Sequence, residues 1–167
     1  MTAPAIGPGA DEARPTWTCV LRGRCVVPGV AEGEALVTRD RISGWGGIDS
    51  RTGTIVETRH ELRGVSFAGK VLVFPGAKGS SGWSNAFHLT RVMGTAPAAL
   101  LFNETTTKVA LGAVVTRAPA MTDFDRDPLT VIETGDWVRV DADRGVVEVR
   151  KAAGRASGVH PETDPTP

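Results

Sequence analysis

The chain has 167 residues, of which 41% are hydrophobic and 23% charged, and this length suits one globular domain rather than two. Its 19 basic and 19 acidic residues give a formal net charge of zero, which argues against a nucleic-acid-binding arm or a membrane-surface patch. No apolar run approaches the roughly 18 residues that span a bilayer, and two cysteines are too few for a disulfide framework or a four-ligand metal site.

Both ends of the sequence are predicted to lie outside the folded body. Residues 1–15 and 152–167 are rich in Pro and lack hydrophobic periodicity, so we expect a flexible arm and a flexible tail around one domain spanning residues 16–151. The first residues show neither the basic nor the apolar segment of a secretory signal peptide, and a cytoplasmic location is therefore expected.

The first part of the body predicts short β-strands broken by turns. Strand sequence is expected around Val20, Val26-Val27 and Ala35, and the whole chain carries 20 Gly and 11 Pro to supply turns. The stretch Ser43-Gly44-Trp45-Gly46-Gly47-Ile48-Asp49 follows. A Trp among glycines either anchors a loop in the core or forms a wall of a binding site. We favour the core anchor for Trp45 and keep Trp45, Gly46 and Gly47 as possible site residues.

The centre of the chain predicts a β-α-β unit. Val71–Phe74 is a continuous apolar run, typical of a strand buried on both faces. A helix is expected to begin near residues 81–84 and to end at Met93, because Gly94 suits a left-handed helix end. Residues 98–102 form the second strand, so the two strands should be parallel.

Antiparallel structure is predicted for the end of the body. Residues 137–140 and 146–149 flank the turn sequence Asp143-Arg144-Gly145, which indicates a β-hairpin. Before it, residues 110–115 are expected to be buried and residues 123–128 to form a polar loop. The predicted fold is therefore a β-rich mixed α/β domain, with a mixed sheet or closed barrel and one clear helix.

The strongest candidate for chemistry is the loop Ala77-Lys78-Gly79-Ser80-Ser81-Gly82 between strand and helix. Its glycines allow close approach of a ligand, and the helix N-terminus presents free N–H groups with partial positive charge. A carboxylate, a phosphate or a serine alkoxide would be stabilised there, and Lys78 would add a full charge. The alternative is an ordinary strand-to-helix turn with a serine N-cap.

Other residues are weaker candidates. His60 has the right side chain for a general base but is expected to be a surface residue. Cys19 and Cys25 are expected to be small buried hydrophobes. The alternating aspartates of residues 123–128 lack the Gly and the distal Glu of a calcium loop, so no metal ligands are expected in this chain.

Several separated motifs resemble, in order, the small subunit of aconitase X. They are Trp45-Gly46-Gly47-Ile48-Asp49, Arg59-His60, residues 69–76, Lys78-Gly79-Ser80-Ser81 and Thr134-Gly135-Asp136. The resemblance implies an aconitase-type swivelling β/β/α domain that acts as a hydro-lyase only with a large subunit, in a cytoplasmic heterodimer. That partner would hold an iron–sulfur cluster or another metal.

The same resemblance implies site residues. Ser80 would be the proton acceptor, and Lys78, Gly79, Ser81 and Gly82 would bind the substrate. Trp83 is a further possible site residue. Because the resemblance implies a partner, it changes the expectation for Trp45: we expect an exposed apolar face around the loops Trp45-Gly46-Gly47 and Gly82-Trp83, where the large subunit closes over the site.

The resemblance does not decide between two substrates. Aconitase proper carries an Arg where this chain has Gly82, and losing that carboxylate clamp makes citrate or isocitrate unexpected. We favour dehydration of cis-3-hydroxy-L-proline to pyrroline-2-carboxylate, because the tails and the Gly-Ser-Ser-Gly-Trp sequence are more typical of bacteria than of archaea. Mevalonate 5-phosphate is the alternative substrate, and a non-catalytic binding or structural domain is the alternative of another class.

Overall fold

The computed structural model describes residues 16–153, and the predicted arm and almost all of the predicted tail lie outside the described residues. Among residues 16–153, no helix has the length and apolar character that a bilayer crossing requires. The elements are β1 (Cys19–Arg22), β2 (Arg24–Val27), β3 (Val30–Val37), β4 (Ile42–Ser43), β5 (Ile48–Asp49), β6 (Thr54–Ile55), β7 (Val71–Phe74), β8 (Ala77–Lys78), α1 (Gly82–Met93), β9 (Ala99–Phe102), α2 (Thr107–Thr116), β10 (Ala120–Thr122), α3 (Pro128–Val131), β11 (Trp137–Asp141) and β12 (Val146–Arg150).

Eight strands form one sheet that nearly closes on itself. Its order is β1-β12-β11-β3-β7-β9-β10-β2. The neighbours from β3 through β7 and β9 to β10 are parallel, and the other pairs are antiparallel. The end strands β1 and β2 are separated in the chain only by Gly23, which brings the two edges of the sheet together. The predicted β-rich, barrel-like α/β fold is confirmed.

The central strand β7 is buried on both faces, as predicted. Val71 and Val73 belong to the core cluster enclosed by the sheet, whereas Leu72 and Phe74 belong to the cluster under the helices. In the chain, β7 precedes α1 and β9 follows it, and the two strands pair in parallel. Gly94 ends α1 in the left-handed region at φ 75°. The β-α-β unit is therefore confirmed.

The prediction of a single clear helix is wrong, because residues 110–115 lie in a second full helix, α2. Its buried residues are Val109, Gly112, Ala113 and Thr116, which have the i, i+3, i+4, i+7 spacing of one helix face. Lying between the parallel strands β9 and β10, α2 completes a second β-α-β unit. It packs against α1, so both helices cover the same face of the sheet.

Local details near the sheet edges also depart from the expectations. The polar loop of residues 123–128 runs into the short helix α3, whose N-cap Asp127 accepts a hydrogen bond from the backbone N–H of Leu129 at 2.9 Å. Cys19 is only half-buried and Cys25 is exposed. The prediction that they are buried is wrong, because β1 and β2 end the strand order and turn some side chains to solvent.

Candidate functional site

The glycine–serine loop connects β8 to the first residue of α1. β8 pairs in parallel with β4, and Ser43 lies opposite Lys78. Gly79 has φ 88°, a left-handed conformation that side chains rarely adopt, so the backbone itself favours glycine at this position. Ser80 and Ser81 follow as exposed residues. The loop therefore presents its two hydroxyl groups at the surface, where α1 begins.

The Ser80 hydroxyl lies at the N-terminus of α1. The backbone N–H of Gly82 donates to Ser80 Oγ over a long distance of 3.4 Å. Ser81 occupies the N-cap position with helical backbone angles and makes no side-chain capping hydrogen bond, so it does not supply the serine cap of the alternative interpretation. The first turn of α1 contains no acidic residue. Its free N–H groups therefore favour negative charge at Ser80, as a serine alkoxide would require.

Two lysines flank the loop, and each already has a partner. Lys78 Nζ lies 2.5 Å from Glu57 Oε1. Lys108 Nζ, from the start of α2, donates to the carbonyl of Gly79 at 2.6 Å. Lys108 was missed by the sequence prediction, because no local pattern links α2 to this loop and only the packing of α2 against α1 brings them together. The two cations thus hold the loop and add positive charge to its surroundings.

A cavity of about 330 Å³ opens between the N-terminal ends of α1 and α2. Neither helix has a side-chain cap or an acidic residue in its first turn. Two uncapped helix N-termini favour an anionic group nearby. The lining residues are Ser81, Ser84, Thr106, Thr107, Lys108 and Leu111.

Trp45 lies over the start of α1 with its indole exposed. Its exposed fraction is 64%, so the predicted core anchor is wrong. A Cβ atom placed on Gly82 would lie 2.2 Å from Trp45 Cδ1, which shows that the ring rests on the backbone of Gly82. The exposed indole therefore borders the Ser80 loop, as the alternative prediction of a binding-site wall requires.

The turn that carries Trp45 is shaped by its glycines. Gly46 has φ 71°, and a Cβ on Gly47 would lie only 2.3 Å from the carbonyl oxygen of Ser43. The carbonyl of Gly47 also accepts hydrogen bonds from the backbone N–H groups of Val56, at 2.9 Å, and Glu57, at 3.3 Å. Gly46 and Gly47 therefore act in this structure by fixing the turn.

Trp83 does not share the exposed face, and its prediction as an exposed residue is wrong. Its exposed fraction is 1%. The ring stacks on Phe87 with centroids 4.0 Å apart, and Nε1 donates to the carbonyl of Ile42 at 2.9 Å. The spacing of the apolar residues in α1 could have revealed this burial. The buried face of the helix is Trp83, Ala86, Phe87 and Thr90.

His60 is 5% exposed, so the prediction of a surface histidine is wrong. Its Nδ1 accepts a hydrogen bond from the backbone N–H of Leu62 at 3.1 Å, which stabilises the turn between β6 and β7. Within residues 16–153, no group of three His, Cys, Asp or Glu side chains is arranged to hold a metal ion.

Comparisons with known proteins place these features in a family. A family model described as the aconitase X swivel domain matches residues 20–149. The chain is 40% identical over 134 residues to a protein of Methanosarcina acetivorans named phosphomevalonate dehydratase small subunit, covering 80% of this chain and 93% of the relative. A Thermococcus kodakarensis protein of the same name is 41% identical over 129 residues, covering 77% and 95% of the two chains.

Solved structures give a matching result. The crystal structure of Thermococcus kodakaraensis aconitase X in its holo-form superposes with a TM-score of 0.75 at 40% identity, covering 80% of this chain and 99% of the other. The solution structure of a UPF0107 protein superposes with a TM-score of 0.73 at 41% identity, covering 80% of this chain and 100% of the other.

Proposed function

The chain belongs to the aconitase X swivel family, as the small subunit of a hydro-lyase that works with a large subunit, and we propose mevalonate 5-phosphate as its substrate. The proposal is supported by the relatives that are named phosphomevalonate dehydratase small subunit. The expectation of hydroxyproline has no comparable support. It depended on the composition of the tails, which lie outside the matched residues 20–149, and on the Gly-Ser-Ser-Gly-Trp sequence of the loop.

The electrostatics of the site suit this substrate. Mevalonate 5-phosphate carries a phosphate and a carboxylate, and both need positive partial charge. The uncapped N-termini of α1 and α2 face the cavity beside the Ser80 loop, and Lys108 lines it. Free helix N–H groups and a nearby ammonium are the common protein partners of phosphate.

We assign Ser80 the proton-transfer step of the dehydration. Its alkoxide takes the carbon-bound proton, the C–H electron pair forms the double bond, and the hydroxyl on the adjacent carbon leaves with its electron pair as hydroxide. The hydroxide takes a proton from solvent to become water, and Ser80 returns its proton to solvent before the next turnover. Serine is a weak base unless fixed donors stabilise its alkoxide. We assign that role to the N–H of Gly82, 3.4 Å from Ser80 Oγ, together with the partial positive charge at the N-terminus of α1.

The departure of the hydroxyl requires a Lewis acid, which we place in the large subunit as an iron–sulfur cluster or a metal ion. No metal-binding group is found in residues 16–153 of this chain. The contribution of the small subunit is therefore to hold the proton acceptor, to bind anionic groups and to help exclude water.

Replacing Ser80 by Ala tests the proposal in the enzyme assembled with its large subunit. General-base catalysis contributes about 10²–10⁴-fold to a rate, and it acts in the transition state. We therefore expect kcat to fall by at least the upper end of this range, since Ser80 is the only proposed base. KM and the melting temperature should change little. The matched variant Ser81→Ala removes the neighbouring hydroxyl at the cavity, and we expect it to raise KM more than it lowers kcat.

Two outcomes would contradict the proposal. Substantial turnover by Ser80→Ala, with stability lowered by the roughly 0.5–2 kcal/mol typical of a lost helix cap, would make Ser80 a structural residue. Faster turnover of cis-3-hydroxy-L-proline than of mevalonate 5-phosphate by the wild-type enzyme would make the proposed substrate wrong. Steady-state kinetics on both substrates, with melting curves for each variant, separate these cases.

A further inference from the structure

We propose that Trp45 binds the substrate at the Ser80 site, with its indole N–H donating a hydrogen bond to an anionic oxygen and its ring covering the hydrocarbon part. This role rests on the proposed function, because Ser80 is taken as the reacting group. It makes Trp45 a specificity-determining residue of the dehydratase rather than a buried anchor of the loop.

The position of Gly82 relates Trp45 to Ser80. A Cβ placed on Gly82 would lie 2.5 Å from Trp45 Nε1 and 3.4 Å from Ser80 Oγ. Both polar atoms are therefore within 3.4 Å of the same point above the first residue of α1. A substrate held for proton transfer to Ser80 has the indole N–H beside it.

The turn holds Trp45 in this place. The carbonyl of Gly44 accepts hydrogen bonds from the N–H groups of Gly47 at 3.1 Å and Ile48 at 3.2 Å. A Cβ on Gly44 would lie 2.5 Å from the Cα of Trp83, so the turn packs directly on the buried start of α1. An aromatic side chain on a fixed backbone loses little conformational entropy when it binds a ligand.

The indole of Trp45 has an unused hydrogen-bond donor. Trp83 Nε1 donates to the carbonyl of Ile42 at 2.9 Å, and Trp137 Nε1 donates to Glu32 at 3.2 Å. Trp45 Nε1 has no acceptor in the described part of the chain, and the residue is 64% exposed. A donor on an apolar ring suits a ligand that carries both an anionic oxygen and a hydrocarbon chain. Mevalonate 5-phosphate is such a ligand.

The absence of a side chain at Gly82 is part of the same arrangement. A Cβ there would lie 2.2 Å from Trp45 Cδ1, a separation that real atoms do not tolerate. Any larger residue at position 82 must therefore displace the indole from its present place over Gly82. Gly82→Ala thus displaces the ring while leaving the tryptophan in the sequence.

The test measures steady-state kinetics of the complex with the large subunit. Trp45→Ala is expected to raise KM for mevalonate 5-phosphate by roughly 10-fold to 100-fold, the effect of one lost hydrogen bond to a charged group. Trp45→Phe keeps a ring but lacks the N–H, and should show most of this rise. Trp137→Phe, a change to another partly exposed tryptophan on β11, should leave KM and kcat unchanged.

A double variant separates displacement of the ring from other effects of Gly82. Gly82→Ala alone should raise KM, whereas Gly82→Ala combined with Trp45→Ala should be no worse than Trp45→Ala alone, because no ring remains to be displaced. Additive effects of the two substitutions would overturn the coupling between these residues, and with it the proposed placement of the indole.

The remaining outcomes are also decisive. If the wild-type complex is active and Trp45→Ala leaves KM unchanged, the inference is overturned. Failure of Trp45→Ala to co-elute with the large subunit would make Trp45 a subunit-interface residue and would also overturn it. A wild-type complex that dehydrates neither mevalonate 5-phosphate nor cis-3-hydroxy-L-proline refutes the proposed function itself. If the complex dehydrates only cis-3-hydroxy-L-proline, KM for that substrate is measured in the same variants, and its carboxylate is then the anionic group expected to accept from the indole N–H.

Discussion

Single residues around the loop determine where charge is stabilised. Lys78 is paired with Glu57, and Lys108 is bonded to the backbone of Gly79. Both ammonium groups therefore position the loop rather than contacting Ser80 Oγ. In the described part of the chain, the donor to Ser80 Oγ is the backbone N–H of Gly82, the first residue of α1, at 3.4 Å. Backbone donors keep their place in every conformation of the side chains, which suits a serine that would have to hold its negative charge until it takes the proton.

Glu61 makes stability depend on pH at the scale of one residue. Its pKa is lowered, first by the Thr38 hydroxyl donating at 2.6 Å and next by the N–H of Arg39, also at 2.6 Å. Because the folded-state pKa lies below the unfolded one, ionised Glu61 stabilises the fold at neutral pH. This contribution is lost as the pH falls through the folded pKa.

We therefore expect Glu61→Gln to lower the melting temperature at pH 7, with a difference from wild type that shrinks below about pH 4. Melting curves from pH 7 down to about pH 3 measure it. Thr38→Val removes the first donor and should make the lowering of the Glu61 pKa smaller. In that background, the difference in melting temperature caused by Glu61→Gln should therefore begin to shrink at a higher pH. A difference that stays constant across this range would show that Glu61 does not act through its charge.

The contact between the two long helices depends on a glycine in the middle of α2. A Cβ on Gly112 would lie 2.2 Å from Trp83 Cζ3. The Trp83 ring cannot easily yield, because it is buried and stacked on Phe87 and its Nε1 is bonded to Ile42. Gly112 therefore sets how closely α1 and α2 approach, and with it the width of the cavity between their N-termini.

Gly112→Ala tests this contact between elements. Helix propensity alone favours Ala by about 1 kcal/mol, but forcing a methyl group into a packed core costs typically about 1–3 kcal/mol. We expect the steric cost to prevail and the melting temperature to fall. Val114→Ala, at an exposed position of the same helix, should change the free energy of unfolding by no more than about 0.5 kcal/mol. A melting temperature raised by Gly112→Ala would show that Trp83 moves.

At the scale of the whole molecule, the sheet nearly closes around its own core. β1 and β2 reach opposite ends of the strand order although one residue, Gly23, separates them. A Cβ on Gly23 would lie 2.6 Å from the ring of Phe124, so this crossing has no room for a side chain. The loop that carries Ser80 lies on the helical face of this nearly closed body, where the proposed large subunit would meet it.

We expect the isolated chain to fold but to be inactive with mevalonate 5-phosphate and to lack iron–sulfur absorption in the visible region. Residues 16–153 hold no group of metal-ligating side chains, and the proposed Lewis acid belongs to the large subunit. Anaerobic purification of the chain alone and of the co-expressed pair, with spectra and assays of both, measures this. An iron–sulfur spectrum from the chain alone would contradict the division of chemistry between the subunits.

The sequence by itself determined the elements whose causes are local. The apolar run of β7, the glycine at the end of α1 and the turn at Asp143-Arg144-Gly145 predicted a β-α-β unit and a hairpin that the structure contains. Hydrophobic periodicity and turn chemistry act between neighbours a few residues apart, so the chain order alone carries them. The β7 run is also one of the motifs that indicated the family.

Only the tertiary structure decided which side chains face the site. Trp45 and Trp83 both lie in glycine-rich sequence, yet one is exposed and the other is buried against Phe87. Lys108 reaches Gly79 only because α2 packs on α1. Burial and contact depend on elements that are distant in the chain, and one sequence read along its length contains no measure of those distances.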